Sequence, residues 1–327
     1  MIHVLSQYVW PDRSPTAIYC EQLADGLLAR GHEVVLVGGR GIYRDGVRPA
    51  PRTKVVQLEH RVAKRGDLPA TVLEYATVTH AMNRYLDAHV RRGDTVIVGS
   101  FPPLTVYLSL AVRRKGARAI YWLQDYYPDL LRSLWDAPKP LRFALGQSWN
   151  LALRGWHGVM KAAGNLSYHG DNAVVLRNWP ILDLGDEQPF EPGLATYIGN
   201  LGYAHCIPSF VAAAEKLRAE GFRVRVLGDG PGCARLPPWI EVKKVPESEE
   251  ALRAAYWASE VHLVAGDPKI ANALFPSKFW SALATGRRVV CTGFEGAMAD
   301  ELSASFASAH ARHKGDMIAY VEREACG

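Results

Sequence analysis

The sequence predicts an α/β protein made of two doubly wound, Rossmann-like domains facing each other across a cleft. Three observations carry that prediction. Short apolar runs end in glycine or polar turns and lead into helical stripes, the rhythm of βαβ units with parallel strands. That rhythm runs through the first 180 residues and restarts after a stretch rich in Pro and acid. The length, 327 residues, exceeds the ~250–300 residues at which single cores stop growing.

In the first half, His3-Val4-Leu5 reads as a short strand. Ser14 or Thr16 then caps a helix with the stripe Ile18, Leu23, Leu27 and Leu28, and Gly31 closes it as a left-handed cap. Glu33 to Val37 is a buried parallel strand. Thr95 to Ser100 is another, leading through Phe101-Pro102-Pro103 into a helix. A third, Ala119 to Leu123, runs into Gln124-Asp125-Tyr126-Tyr127-Pro128, and a long helical region spans about Leu141 to Trp156. In the second half, Ala195 to Ile198 is a strand ending in Gly199-Asn200-Leu201-Gly202. Ser209, after Pro208, caps a helix that stops at Gly221. Strands follow at Arg223 to Leu227, near Val242 to Val245, and at Val261 to Val264. The expected boundaries are 1–180 for the first domain, 181–192 for a linker and 193–312 for the second domain. Residues 313–327 would form a terminal helix crossing back.

Composition excludes several classes. Hydrophobic content of 48% and charged content of 22% are those of a globular chain rather than a disordered one. The five cysteines are odd in number, scattered and without metal or C-x-x-C spacing, so a reduced, cytoplasmic setting is expected. The first residues lack a basic and apolar leader pattern, and no apolar run reaches the ~18 residues of a membrane span. His310 and His313 lie close in sequence without a third ligand, and read as surface residues. The net charge of +5 hides an asymmetry. Residues 1–180 hold 23 Lys and Arg against 14 Asp and Glu, a net of +9, and the remainder holds 15 against 19, a net of −4. A basic half suits an anionic membrane face or an ordinary solvated surface; no nucleic-acid motif accompanies it. Trp135, Phe143, Trp149 and Trp156 share one helical region with Arg132, Arg142 and Arg154. That region reads either as a lipid-facing surface or as an amphipathic core helix.

Three turns of the second half follow strands in order: Gly199-Asn200-Leu201-Gly202, Gly228-Asp229-Gly230-Pro231, and Phe275-Pro276-Ser277-Lys278. Glycine lets a phosphate or sugar approach the backbone. The backbone N–H groups of Ser277 and Lys278 at a helix start, with the Lys278 charge, form an anion site suited to a diphosphate. The simpler reading is that Pro276 and Ser277 only begin a helix. None of the turns reproduces G-x-G-x-x-G or a P-loop.

The ordered set resembles the retaining GT-B glycosyltransferases of family 4, in particular those of bacterial surface-polysaccharide synthesis of the colanic acid and O-antigen type. The motifs are Arg30-Gly31-His32-Glu33-Val34, Gln124 to Pro128, Asn178-Trp179, Gly199-Asn200, Gly228 to Pro231, Pro276-Ser277-Lys278 and Ser281 to Val290. They cover about residues 2–305. The resemblance implies a hexosyltransferase-type enzyme whose second domain binds a nucleotide-diphosphate sugar, UDP type expected, and whose first domain binds a saccharide or lipid-linked acceptor. The setting implied is the cytoplasm, at the inner face of the cytoplasmic membrane. No cofactor or metal is expected beyond that co-substrate. Lys278 would stabilise the leaving diphosphate, the main catalytic contribution where the diphosphate itself takes the acceptor proton. Asp125 would orient the acceptor, its alternatives being a helix cap or a structural ion pair. Gly199, Asn200, Gly228, Asp229, Gly230, Val245, Lys269, Pro276, Ser277 and Ser281 would line the donor; Ser14, Thr16, Pro102 and Gln124 the acceptor.

Departures from the family pattern are equally plain. Where members carry an Arg and a Lys for the diphosphate this chain has Asn200 and His205, with Lys269 or Arg177 as other sources of charge. The paired glutamates fall on Ala273 and Ser281. Two further readings therefore stand beside the enzyme: a non-catalytic, glycosyltransferase-like partner subunit, and a sugar-nucleotide epimerase on the same architecture.

Overall fold

The computed structural model describes residues 1–40, 49–63, 67–134, 138–202, 204–307 and 313–326, in two compact units. The first comprises Met1–Arg177 with Arg312–Gly327, the second Asn178–Ala311. Trp135 and His310, singled out above, lie outside the described residues.

The first unit runs β1 (Ile2–Ser6), α1 (Pro15–Ala29), β2 (Val34–Gly39), β3 (Lys54–Leu58), α2 (Leu68–His89) and β4 (Thr95–Gly99). A 3-10 turn (Pro103–Leu108) leads into α3 (Ser109–Arg114), β5 (Arg118–Leu123), α4 (Tyr127–Leu134), α5 (Lys139–Arg154), β6 (Gly158–Lys161) and β7 (Ala173–Val175). Its seven-stranded sheet has the order β3-β2-β1-β4-β5-β6-β7, parallel throughout. Strands covered on both faces read as continuous apolar runs; β1, β4 and all but the first residue of β5 are buried along their length. Ser14 caps α1, its Oγ accepting from the Ala17 N–H at 3.3 Å. Gly31, at φ 90°, turns the chain out of that helix.

The second unit runs β8 (Glu191–Ile198), α6 (Ile207–Ala219), β9 (Arg223–Leu227), β10 (Glu241–Lys243), α7 (Glu249–Trp257), β11 (Ser259–Ala265), α8 (Lys278–Ala284), β12 (Arg288–Thr292) and α9 (Ala297–Ala307). Its five strands take the order β10-β9-β8-β11-β12, again all parallel. Both sheets reverse direction of growth once, between β1 and β4 and between β8 and β11. At such points the loops after neighbouring strands diverge and leave room for a ligand.

One local expectation changes, at the start of α6. Helix α6 is capped by Cys206, not Ser209, which sits inside the helix with its hydroxyl on the Cys206 sulfur at 3.1 Å. In the Pro- and acid-rich stretch 181–192 two leucines are packed, while residues 185–192 are exposed. Leu182 and Leu184 are buried with Tyr256 and Trp257, and β8 already starts at Glu191. The chain's last described helix, α10 (His313–Cys326), belongs to the first unit, where Arg30 and His32 reach Glu322 at 2.7 and 3.1 Å.

Candidate functional site

In the second unit the carboxyl ends of β8 and β9 are fused by glycine. The Gly199 N–H donates to the Leu227 carbonyl at 2.8 Å, and the Leu201 N–H to the Asp229 carbonyl at 2.9 Å. A Cβ added at Gly228 would lie 1.9 Å from the Gly199 carbonyl oxygen, and one at Gly230 1.9 Å from Asn200 Oδ1. Only glycine permits that approach. Gly199, at φ 134°, lies so close to Lys278 that a Cβ would stand 3.1 Å from its Cε. The structure thus brings together Gly199, Asn200, Gly228, Asp229, Gly230 and Lys278.

Lys278 is held by Tyr197, which the sequence did not single out, and by His205, noted there only as a departure from the family pattern. Its ammonium donates to the Tyr197 hydroxyl, sits 4.5 Å from the centre of the Tyr197 ring, and lies 3.3 Å from His205 Nε2. Tyr197 in turn donates to the Asn200 carbonyl at 2.9 Å. The Gly202 N–H, which can only donate, reaches His205 Nδ1 at 3.0 Å. The same nitrogen lies 3.3 Å from the Gly202 carbonyl and Nε2 lies 3.1 Å from the Tyr197 oxygen, so both ring nitrogens have a partner in either neutral tautomer. Burial, then the Lys278 charge, depress His205 to about 3. The histidine is therefore neutral at pH 7, and Lys278 is the cation of the network. The one signal for this role was position: Tyr197 lies near the end of β8 and His205 in the loop that follows it.

Other expected donor residues stand apart from that cluster. Ser277 precedes α8 without a side-chain capping bond, and α8 has only seven residues. A helix that short sums few peptide dipoles, so the Lys278 charge, rather than the helix end, is the main electrostatic feature. Pro276 is buried, and its carbonyl accepts from the Phe279 N–H at 3.1 Å. Ser281 is fully buried on the inner side of α8, its hydroxyl without a hydrogen-bond partner among the described residues, and Ala273 is buried likewise. Lys269 is exposed in the turn after β11, its N–H on Asp267 Oδ1 at 2.9 Å. Val245 lies two residues past β10.

In the first unit a second set gathers at the carboxyl ends of β4 and β5. The Ser100 hydroxyl accepts from the Gln124 and Asp125 N–H groups at 3.1 and 3.2 Å. Thr16, in the first turn of α1, donates to Gln124 Oε1 at 3.2 Å, while the Ser14 oxygen is used in capping. Pro102 follows β4, and beside it the Phe101 ring stacks on Tyr8 at 5.4 Å. Among the described residues the Asp125 carboxylate has neither an ion pair nor a capping bond, and burial pushes it up to about 6.

The backbone of this chain resembles solved glycosyltransferases at low sequence identity. Sucrose-phosphate synthase from Thermosynechococcus elongatus aligns over 99% of this chain and 96% of its own, with a TM-score of 0.62 at 13% identity. The UDP-forming α,α-trehalose-phosphate synthase from Burkholderia xenovorans, solved with glucose-6-phosphate, covers 99% and 97%, with a TM-score of 0.55 at 13% identity. WaaG, a glycosyltransferase involved in lipopolysaccharide biosynthesis, gives 0.53 at 12% identity over 99% and 94%. The fold is GT-B. In sequence, a protein of Escherichia coli (strain K12) described as a colanic acid biosynthesis glycosyl transferase, WcaI, is 26% identical over 234 residues. That alignment spans 60% of this chain and 56% of the relative. No protein-family model matches the chain. Among the described residues no group of three or more His, Cys, Asp or Glu is placed to hold a metal ion, and no helix is long and apolar enough to cross a membrane.

Proposed function

We propose that the chain is a glycosyltransferase that moves a sugar from a nucleotide-diphosphate donor, bound by the second unit, to a saccharide or lipid-linked acceptor bound by the first. One observation carries the reading: the Lys278 ammonium is fixed beside a floor of glycine backbone at the carboxyl end of β8. A diphosphate needs both features, a full charge and backbone it can approach closely. The GT-B fold and the partial likeness to WcaI support the same reading. In this mechanism Lys278 meets the negative charge that develops on the departing diphosphate. Tyr197 and His205 hold it in place, so little reorganisation accompanies the reaction. The diphosphate takes the acceptor proton, transfer proceeds with retention at the anomeric carbon, and no metal is required. Asp125 and Gln124 orient the acceptor hydroxyl.

The test is a thermal-shift screen against UDP, GDP, ADP and dTDP and their common sugars, with chelator present. Ligand linkage gives a rise in Tm with the true diphosphate, and Lys278→Ala then cuts turnover ~10²–10³-fold. Wild-type-like turnover in that variant removes Lys278 from the mechanism. A second reading, a non-catalytic partner subunit, is favoured by Ala273 and the buried Ser281 standing where related enzymes carry glutamates. No shift with any diphosphate at millimolar concentration selects it.

A further inference from the structure

The first unit carries a groove that the transferase reading leaves unused. It lies between the carboxyl-terminal half of α5 and the loop 167–170 and has a volume of about 490 Å³. Small-molecule sites span about 300–1,000 Å³. Its lining includes Gln147, Asn150, Leu151, Arg154, Ser167 and His169. Helix α5 ends just before β6 begins, and the loop leads into the start of β7, so the groove sits at the amino ends of these strands. Thr16, Ser100, Gln124 and Asp125 gather at the opposite, carboxyl ends. The neighbouring strand β5 has six residues, which sets the two ends about 20 Å apart.

The floor of the groove is tied down. The Tyr168 hydroxyl donates to Asn172 Oδ1 at 2.7 Å, and Asn172 Nδ2 donates to the Leu153 and Trp156 carbonyls at 3.0 and 2.9 Å, joining the loop to the end of α5. The loop can close on Tyr168 because residue 170 is glycine; an added Cβ would lie 2.2 Å from the Tyr168 oxygen. Asn150 Oδ1 accepts from the Tyr126 hydroxyl at 2.7 Å, which leaves its Nδ2 as a donor to the groove. The side chains of Gln147, Arg154, Ser167 and His169 have no hydrogen-bond or ion-pair partner among the described residues, and no described Asp or Glu joins the lining.

This lining selects its ligand. The Arg154 guanidinium, a fork without a partner, matches a carboxylate or phosphate through two parallel bonds. Gln147 and Ser167 can both donate and accept, as sugar hydroxyls do. Leu151, 70% exposed, offers an apolar wall to the C–H face of a ring. A lone phosphate would leave most of the volume empty, and a nucleobase would find no exposed Phe, Tyr or Trp among the lining residues to stack on. We propose that the groove is a second saccharide site, which binds a sugar carrying a carboxylate or phosphate and does no chemistry on it. Lying at the far end of the sheet from Asp125, it can fill while the acceptor cluster is occupied. The inference rests on the groove itself and holds whether or not the chain transfers sugar.

Titration calorimetry of the full chain with glucuronate, glucose-6-phosphate, glucose and inorganic phosphate tests it. At least one acidic sugar should bind, and glucose should bind at least ~10-fold more weakly. The tighter of the two acids names the anionic group. Arg154→Gln should lower affinity for the acidic sugar about 10–100-fold and leave that for glucose as it was, with Tm unchanged because the side chain is exposed. Leu151→Glu, also at an exposed position, should abolish binding by setting a carboxylate against the anion. Thr16→Val, in the acceptor cluster, should bind the acidic sugar as the parent does, which separates the two sites. Failure of both acids to bind at tens of millimolar overturns the proposal. So does glucose or inorganic phosphate binding as tightly as the acids, or parental affinity in Arg154→Gln.

Discussion

At the scale of single residues, a neutral histidine beside a lysine is the main electrostatic feature of the second unit. His205 cannot share the charge of Lys278 because burial disfavours a charged imidazole and its protonation would place two cations 3.3 Å apart. A folded-state value near 3 against an unfolded 6.5 means that the unfolded chain binds the extra proton between those limits. Stability therefore rises with pH across that window, is fully present above 6.5 and is lost as pH falls toward 3. His262, buried on β11 and depressed to about 4 by burial and then by Arg287, acts in the same sense. Asp125, raised to about 6 by burial, acts oppositely, favouring the folded state below its shifted value. We therefore expect His205→Gln, whose amide can still donate to Tyr197, to flatten the fall of Tm between pH 6.5 and 4.5. The parent slope there contains at most about 1.4 kcal/mol per pH unit from this one group. Parallel melting curves of parent and variant over that range would remove His205 from the linkage. The motif reading pointed to Lys278 and named His205 only as a departure, and it missed Tyr197, because contacts between the end of a strand, a loop and a helix start arise only on folding.

At the scale of elements, the glycine turns divide into two kinds that the sequence does not distinguish. Gly31 has open space around its Cα but a φ of 90°, so Gly31→Ala costs only backbone strain, about 1 kcal/mol. Gly228 is the reverse: its φ is unremarkable, but a Cβ would lie 1.9 Å from the backbone oxygen of Gly199. Gly228→Ala should push the β8 and β9 turns apart, lower Tm by several degrees and abolish the thermal shift with nucleotide diphosphate. Retained nucleotide binding in that variant would show that the fused turns do not form the donor floor. Buried parallel strands such as β1, β5 and β11 were legible because nearly every residue is buried and most are apolar, despite His3, Arg118, Glu260 and His262 within them. β3, with Lys54 and Gln57 exposed and the rest half-buried, and β7, three residues long, gave no such run. The 22-residue α2 was missed because Thr71, Val72, Thr77, Val78 and Thr79 are β-branched and weaken a helical reading. In α5 the helix was legible but its orientation was not. Trp149 and Trp156, candidates for a lipid face, are buried at 5% and 3%, and Leu141, Phe143 and Leu151 are what the surface shows.

At the scale of the whole molecule, two sheets with the same order of growth, each reversing once, form two units with their own cores. The repeat of βαβ rhythm made that duplication readable, whereas the place of α10 depends on contacts far apart in sequence. Met317 and Val321 are fully buried on that helix, and Ile318 and Tyr320 nearly so. Ile318 lies against Gly26 of α1, where an added Cβ would meet its Cδ1 at 2.5 Å. The polar side is fixed by Glu322 to Arg30 and His32, and by Glu324 to Arg118 at 2.5 Å. Exposed pairs of this kind contribute little singly, about 0–1 kcal/mol, while each buried apolar side chain contributes about 1.5–3 kcal/mol. Burial therefore holds α10 in place, and the ion pairs fix its register. Removing residues 312–327 should strip several kcal/mol from the first unit and leave the core of the second intact. In calorimetry the parent's transition for the first unit should fall by more than ten degrees or vanish. The transition that responds to nucleotide diphosphate should stay where it was. If both transitions fell together, the two units would share one cooperative core, and the division at Arg177 would not mark independent folding.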